Sequence, residues 1–336
     1  MREPLRTAIV GCGGIAQRHA QNLAALSERF RLVAFADSEL GRAQAFADRY
    51  AAGAAVYKDS AGLLGNEELD ALFICLPPFA HSDEVLRAAE RGIHVFIEKP
   101  IALDSHKAWQ MVQAAEAAGI VTQVGFMYRF GTAIGRLKQL MAEEQAGAAG
   151  LMSTRYFCNH LHAPWWRERD KSGGQLVEQV IHMVDLMRYL LGEADSVYSV
   201  QRNLYHQDVP NYTVEDVSGT VISFANGGIG VIYASNNAIP GKWINDYKVV
   251  AARLTAEFAD ANHATFHYTA ETPLRSEEIA SDADVYIAEV LDFADAIAEG
   301  RPALTPLREG ARTLDLALAA RTSAESGSVV GVGAPV

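Results

Sequence analysis

Ala8-Ile9-Val10-Gly11-Cys12-Gly13-Gly14-Ile15-Ala16, followed by Leu32-Val33-Ala34-Phe35-Ala36-Asp37, is the stretch that decides the fold. A short apolar run enters a glycine turn and leaves it as the start of a helix. A second apolar run then ends in a carboxylate 21 residues beyond Ala16. Gly11 permits the tight turn, Gly13 lets the backbone approach a pyrophosphate, and the small Ala16 allows close packing of helix on strand. The segment opens a helix, whose N-terminal amides stabilise anionic phosphates. Asp37 can accept hydrogen bonds from a ribose diol, and its charge repels a 2′-phosphate. That favours NAD over NADP, while Arg42, one turn further on, keeps NADP open. The alternative is a glycine-rich turn with no ligand; strand, helix and acid in register favour nucleotide binding.

Outward from this unit, the first 125 residues repeat the same rhythm. Ala71–Cys75, His94–Ile97 and Ile120–Val124 are nearly continuous apolar runs, separated by alanine-rich helical stretches such as Asp83 to Arg91, which Gly92 stops. Apolar strands alternating with helices imply a parallel sheet covered on both faces, a doubly wound α/β domain over residues 1–125. After Phe126 the texture is α+β, and residues 126–336 are read as a second domain. A helix is expected from about Gly174 to Leu191. Val217–Phe224 and Ile229–Ala234 alternate around Asn226-Gly227-Gly228 as an antiparallel hairpin. Further strands are expected near Tyr247–Val250 and Thr265–Tyr268, and Ala146–Gly150 reads as a loop. Two helices close the chain. The first carries the stripe Tyr286, Val290, Phe293 and Ile297, and the second starts at Thr305-Pro306 and stops near Gly327.

Of the 336 residues, 29 are Lys or Arg and 41 are Asp or Glu, a net charge of −12. With no basic block, the chain lacks the footprint of a nucleic-acid binder. No apolar run is long enough to span a membrane. The start, Met1-Arg2-Glu3-Pro4, leads directly into a strand-like segment, which argues against a secretory leader. Cys12, Cys75 and Cys158 are odd in number and widely spaced, which fits a reduced, cytoplasmic setting. The charge is uneven: residues 1–125 hold 12 basic and 15 acidic groups, and residues 126–336 hold 17 and 26. Between Glu257 and Glu299, 11 acids face one base, Arg275, which reads as a solvated outer surface.

The candidate chemistry lies at the strand ends and on one helix. Leu76-Pro77-Pro78-Phe79-Ala80-His81 follows a strand at the carboxyl edge of the sheet, where ligands bind in open α/β folds. His81 is either a cofactor contact or a cap for the helix that begins near Ser82. Glu98-Lys99-Pro100 ends another strand on that edge. Lys99 there can polarise a hydroxyl or carbonyl, with Glu98 orienting it; the alternative is an ordinary surface lysine. Glu178 and His182, four apart, share one helix face among apolar neighbours, and Asp185 follows one turn later. A buried Glu–His pair is costly without partners, which favours a functional role for Glu178 and His182 and a structural one for Asp185. His160 and His162 could join Glu178 and His182 around a metal, but the spacing matches no zinc motif. In the loop Trp165–Lys171, Trp165 can stack on a sugar ring and Arg167 can bind a carboxylate or phosphate; equally the segment is a packed tryptophan pair beside solvated charges.

Taken together these residues resemble the Gfo/Idh/MocA family of nicotinamide-dependent oxidoreductases, in order along almost the whole chain. The resemblance is carried by the glycine loop with Asp37, by Gly92–Pro100, by Gly125-Phe126-Met127-Tyr128-Arg129-Phe130 as the segment joining two domains, by Ser172-Gly173-Gly174 through His182-Met183-Val184-Asp185, and by Val214-Glu215-Asp216 with the hairpin after it. It implies a Rossmann domain followed by an α/β domain whose open, mainly antiparallel sheet forms a homodimer or homotetramer. It implies hydride transfer between NAD(P) and a sugar, cyclitol or related polyol. Lys99 and His182 then flank the reacting carbon, one of them as general acid/base, and Glu178 stands where many members carry Asp. Gly11, Gly13, Gly14, Ile15, Ala16, Asp37, Leu76, Pro77, His81, Glu98 and Lys99 are expected around the cofactor. Tyr128, Arg129, His160, Trp165 and Arg167 are expected around the substrate. Two other readings stay open: a retained NAD that drives hydrolysis, elimination or epimerisation by transient oxidation, and a non-catalytic nucleotide-binding regulator.

Overall fold

The structure, a computed structural model, describes residues 3–333. Met1 and Arg2, the first residues of the leader argument, lie outside the described residues. Pro4 is followed at once by β1 (Leu5–Val10), as expected. The first unit continues with α1 (Gly14–Ala25), β2 (Phe30–Ala36), α2 (Leu40–Tyr50), β3 (Ala55–Tyr57), α3 (Ser60–Asn66), β4 (Ala71–Ile74), α4 (Glu84–Glu90), β5 (His94–Ile97), α5 (Ser105–Ala118) and β6 (Thr122–Val124). The strands form a six-stranded parallel sheet in the order β3-β2-β1-β4-β5-β6. The order reverses at β1/β4, the switch point of a doubly wound fold. All four residues of β4 are buried, which requires cover on both faces of the sheet and explains the unbroken apolar run. Helix ends are marked locally: Asp104 caps α5 by accepting from the Lys107 amide, and Gly119 closes it in the left-handed conformation.

The second unit contains α6 (Thr132–Ala142), β7 (Ala149–Phe157), the short α7 (Arg169–Ser172), α8 (Ile181–Leu191), β8 (Ala194–Arg202), β9 (Val217–Phe224), β10 (Ile229–Ser235), β11 (Tyr247–Ala251), β12 (Thr255–Phe258), β13 (Ala264–Tyr268) and β14 (Arg275–Ile279). After these come α9 (Val285–Glu299), α10 (Leu307–Ser326) and β15 (Val330–Gly331). Nine strands run in the order β14-β13-β12-β11-β7-β10-β9-β8-β15. The pairing is antiparallel except between β7 and β10. Strands such as β9 and β11 alternate buried and exposed, so one face is covered and the other open. The covered face packs on apolar residues of α6, α8 and α10, including Leu137, Met183, Met187 and Leu316. The hairpin β9–β10 turns at Asn226, whose Oδ1 accepts from the Gly228 amide, with Gly227 in the left-handed region.

Three sequence expectations are corrected. The second domain is not the continuous run 126–336, because Tyr286–Ala311 groups with the residues up to Gly125, leaving Phe126–Val285 with the chain from Arg312 onward. The cause is the α9 stripe: Val290 and Phe293 are buried in the first unit, with Phe293 edge-on to Phe73 and Phe96. The 257–299 acidic stretch is not wholly solvated either, since Glu289 on α9 is fully buried. Ala149 belongs to β7 and not to a loop.

Candidate functional site

In the first unit the glycine loop has the shape a dinucleotide requires. Gly11 sits at φ +88°, and a Cβ there would lie 2.5 Å from the Cys75 carbonyl oxygen. Only glycine lets β1 turn so close to the end of β4. Gly13 and Gly14 are exposed, and a Cβ on either would meet nothing within 4 Å, so the space before α1 is open. Among the described residues no side chain caps α1 at Gly13. Its first-turn amides are therefore available to an anion. Asp37 follows β2, with Oδ2 accepting from the Cys12 amide at 2.8 Å and Oδ1 from the Glu39 amide at 2.9 Å. The carboxylate is thus fixed against the glycine loop and retains lone pairs for a diol. Arg42 forms an ion pair with Glu39, the residue just before its helix. These residues fit a bound NAD.

Leu76 and Pro77 continue from the end of β4 at the same edge, with a tight turn over Pro78–Ala80. Of the two expectations for His81, the helix cap is not what the structure shows. His81 is buried, its Nε2–H donates to the Leu76 carbonyl at 3.1 Å, and its own carbonyl accepts from Lys107 Nζ. It does not cap α4, whose first residue is Glu84. Burial, offset in part by Glu84, pushes the imidazole down to about 4, so it is a neutral staple of the loop. Lys99, half-buried, follows the end of β5. Glu98 beside it is 5% exposed and turned inward: Oε1 meets His19 Nε2 at 2.7 Å, and Oε2 accepts from the Lys99 amide at 3.2 Å. Glu98 is therefore a clamp on the Lys99 backbone.

In the second unit the expected helix from Gly174 is two segments. Leu176–Val180 is a π-helical turn, and α8 continues from it. The turn is held at its start by Glu215, whose Oε1 accepts from the Leu176 amide at 2.7 Å, after Gly174 at φ +101°. Such turns are frequent at functional sites because they re-aim side chains. Glu178 lies within the turn and His182 just beyond it. His182 is buried, its ring edge-on to Tyr128 at 5.2 Å and Phe126 at 6.2 Å. Glu178 Oε2 accepts from the Trp166 indole at 2.7 Å. Tyr128 accepts from Asn245 Nδ2 at 2.7 Å, and burial raises its pKa, so it stays a neutral phenol.

The substrate candidates divide. Arg129 is 4% exposed and committed to Asp185 by two bonds of 2.8 and 2.6 Å, with its guanidinium over the Tyr189 ring. It is a buried cation paired within its own unit. Arg167 spends Nε and Nη2 on the carbonyls of Leu161 and His162, which tie its loop together. His160 is exposed and accepts from the His162 amide. Trp165 is half-buried against the cluster of Trp166, Tyr212 and Val214. His162 is the more central histidine: it sits at φ +55°, 4.4 Å from the Trp166 ring, 5.8 Å from Trp243 and 2.9 Å from Gln179 Nε2. Gln179, Trp243 and Asn245 carried no sequence signal, because their partners His162 and Tyr128 are distant in sequence. Among the described residues no group of three or more His, Cys, Asp or Glu is arranged to hold a metal ion.

Two family models match the chain. One, described as an oxidoreductase family with an NAD-binding Rossmann fold, covers residues 5–126, and the other, the GFO/IDH/MocA C-terminal domain, covers residues 134–257. The scyllo-inositol 2-dehydrogenase (NAD(+)) of Bacillus subtilis (strain 168) is 28% identical over 98% of this chain and 97% of its own length. The D-glucoside 3-dehydrogenase of Escherichia coli (strain K12) is 30% identical over 67% of this chain and 68% of its own. A levoglucosan dehydrogenase solved in complex with NADH and L-sorbose has a TM-score of 0.91 at 21% identity, covering 99% of this chain and 100% of that one. That last likeness speaks for the fold. No helix among the described residues is long and apolar enough to cross a membrane.

Proposed function

Because the chain belongs to the GFO/IDH/MocA family of oxidoreductases, with an NAD-binding Rossmann domain, we propose that it transfers a hydride between NAD and a secondary alcohol or ketone of a neutral sugar, inositol or related polyol. The observation that carries this reading is Lys99, clamped by Glu98 at the carboxyl edge of the sheet that bears the glycine loop and Asp37. The polyol class is supported by the relatives, which include an inositol and a glucoside dehydrogenase.

NAD, when bound at the glycine loop and Asp37, supplies the hydride acceptor. The protein supplies the proton chemistry. His182 is assigned the hydroxyl proton in oxidation, and the Lys99 ammonium the hydrogen bond that stabilises developing negative charge. Glu178 accepts from a second substrate hydroxyl and fixes the ring's orientation. Neutral substrates are favoured over sugar acids by charge: Arg129 and Arg167 are committed within the protein, and Glu178 repels a carboxylate. The buried thiols take no part, since burial pushes Cys12 and Cys158 up to about 12 and keeps them protonated.

The test is a screen of sugars, inositols and their acids with NAD and NADP in parallel. Neutral polyols with NAD are expected to give NADH. A clear NADP preference would refute the Asp37 argument, and product formed without NADH release would point to a retained cofactor. The same reading includes a homodimer or homotetramer through the open face of the nine-stranded sheet. Tyr198, Val221, Ile229 and Tyr233 are 42 to 46% exposed there on neighbouring strands β8, β9 and β10, an apolar band of the kind that marks a protein interface.

A further inference from the structure

His19 has no place in the chemistry above, yet it is fully buried on α1, one turn beyond the glycine loop. Its ring is fixed by Phe96 at 4.9 Å, Phe73 at 5.7 Å and Tyr286 at 6.5 Å. Nε2 lies 2.7 Å from Glu98 Oε1, while Nδ1 has no hydrogen-bond partner among the described residues. The ring's proton therefore sits on Nε2 and is donated to the carboxylate. The other carboxylate oxygen accepts from the Lys99 amide. The third side of Glu98 is closed by Gly125, where a Cβ would come within 2.9 Å of Oε1. A buried carboxylate is tolerated only with such partners, and here they leave it a single position.

We propose that His19 is a positioning residue for Lys99: through Glu98 it ties the backbone at the end of β5 to the helix that seats the cofactor phosphates. The inference rests on the role given to Lys99 above. Without the His19 proton, Glu98 Oε1 loses its donor, the carboxylate shifts, and the Lys99 backbone loses its anchor. Misplacement of a reacting group by about 1 Å can cost on the order of a hundredfold in rate. The α1 helix itself stays seated by Ala16, Ala20 and Leu23, all fully buried, so cofactor affinity should change little.

The experiment compares His19→Gln, which keeps an amide donor at nearly the reach of Nε2, with His19→Asn, one methylene shorter, and His19→Leu, which has no donor. The first readout is the acetylation rate of Lys99 relative to the other lysines, measured by mass spectrometry without cofactor or turnover. The second is kcat and KM with a polyol from the screen, alongside NAD affinity by fluorescence. In His19→Asn and His19→Leu, Lys99 labelling should change severalfold and kcat should fall by about tenfold or more, with NAD affinity near wild type and His19→Gln restored on both readouts. Combining His19→Leu with Lys99→Ala should be no slower than Lys99→Ala alone. Unchanged Lys99 labelling in a folded His19→Asn protein, or losses that multiply in the double variant, would overturn the proposal. Should His19→Leu fail to fold, the Asn and Gln variants decide. If no polyol is turned over, or Lys99→Ala keeps full activity, the functional reading fails on its own, and the labelling still reports on the link from His19 to Lys99.

Discussion

The Trp166 indole N–H is bonded to Glu178 at 2.7 Å, so this carboxylate is held by a residue outside its own helical turn. Trp166 is itself buried, in a cluster with Tyr212 and Val214, and its ring lies 4.4 Å from His162. A hydrogen bond to a charged group contributes about 1.5–3 kcal/mol. Trp166→Phe keeps the ring packing and removes only the donor. Steady-state kinetics should then show kcat/KM lowered by about tenfold, with a smaller change in thermal stability. A folded Trp166→Phe protein with wild-type kcat/KM would mean that Glu178 needs no indole.

Arg129 and Asp185 form a bidentate pair whose side chains are 3% and 2% exposed, and Thr313 donates to the same carboxylate. Removing one partner leaves the other charge buried alone, which costs about 3–5 kcal/mol. Arg129→Met should therefore destabilise by that order in urea denaturation, and Arg129→Met with Asp185→Leu should recover much of the loss. Where the single variant folds, its KM for the polyol should match wild type. A raised KM with unchanged stability would restore Arg129 to the substrate contacts.

The open sheet face predicts its own assembly state. In the register of β9 and β10, Val221 lies opposite Val231, and Tyr198 of β8 lies opposite Val221, so the exposed apolar side chains form one band across strands. Placing a carboxylate in a buried apolar interface costs several kcal/mol. Val221→Glu with Ile229→Glu should convert the assembly to monomer in light scattering behind size exclusion, with little effect on monomer stability, since both positions face outward. A wild-type chain already monomeric at micromolar concentration would remove the interface.

The first unit was the more legible half, because its information is local. Ala8–Val10, Gly11, Gly13 and Asp37 each report on their own backbone. The hairpin at Asn226–Gly228 was equally plain. What escaped depended on partners distant in sequence. The α9 stripe was visible, but nothing in it said that Phe293 would join Phe73 and Phe96. The turn at Leu176–Val180 is held at its start by Glu215, 39 positions away. Arg129 reads as a ligand-binding cation until Asp185 is beside it. His19 was passed over because a histidine on an apolar helix face carries no signal until its acceptor, 79 positions away, is known.

His81 makes a prediction about stability and pH. It is 5% exposed, and burial holds its imidazole near 4 in the folded protein, against an ordinary value of 6.5. Below pH 6.5 the unfolded chain takes up this proton while the folded one does not, so acidification favours unfolding. The contribution is fully present above pH 6.5 and is lost progressively as the pH falls to about 4, reaching about 3 kcal/mol. His81→Gln keeps an amide donor for the Leu76 carbonyl and cannot titrate. Urea denaturation at pH 7 and pH 5 should show wild type losing about 2 kcal/mol more than His81→Gln over that interval. Every other titrating group, including Glu84 and Lys107 beside the ring, is common to both proteins and cancels in the difference to first order. Equal losses in the two proteins would show that His81 is protonated in the fold at pH 5, and that its bond to Leu76 is stronger than burial.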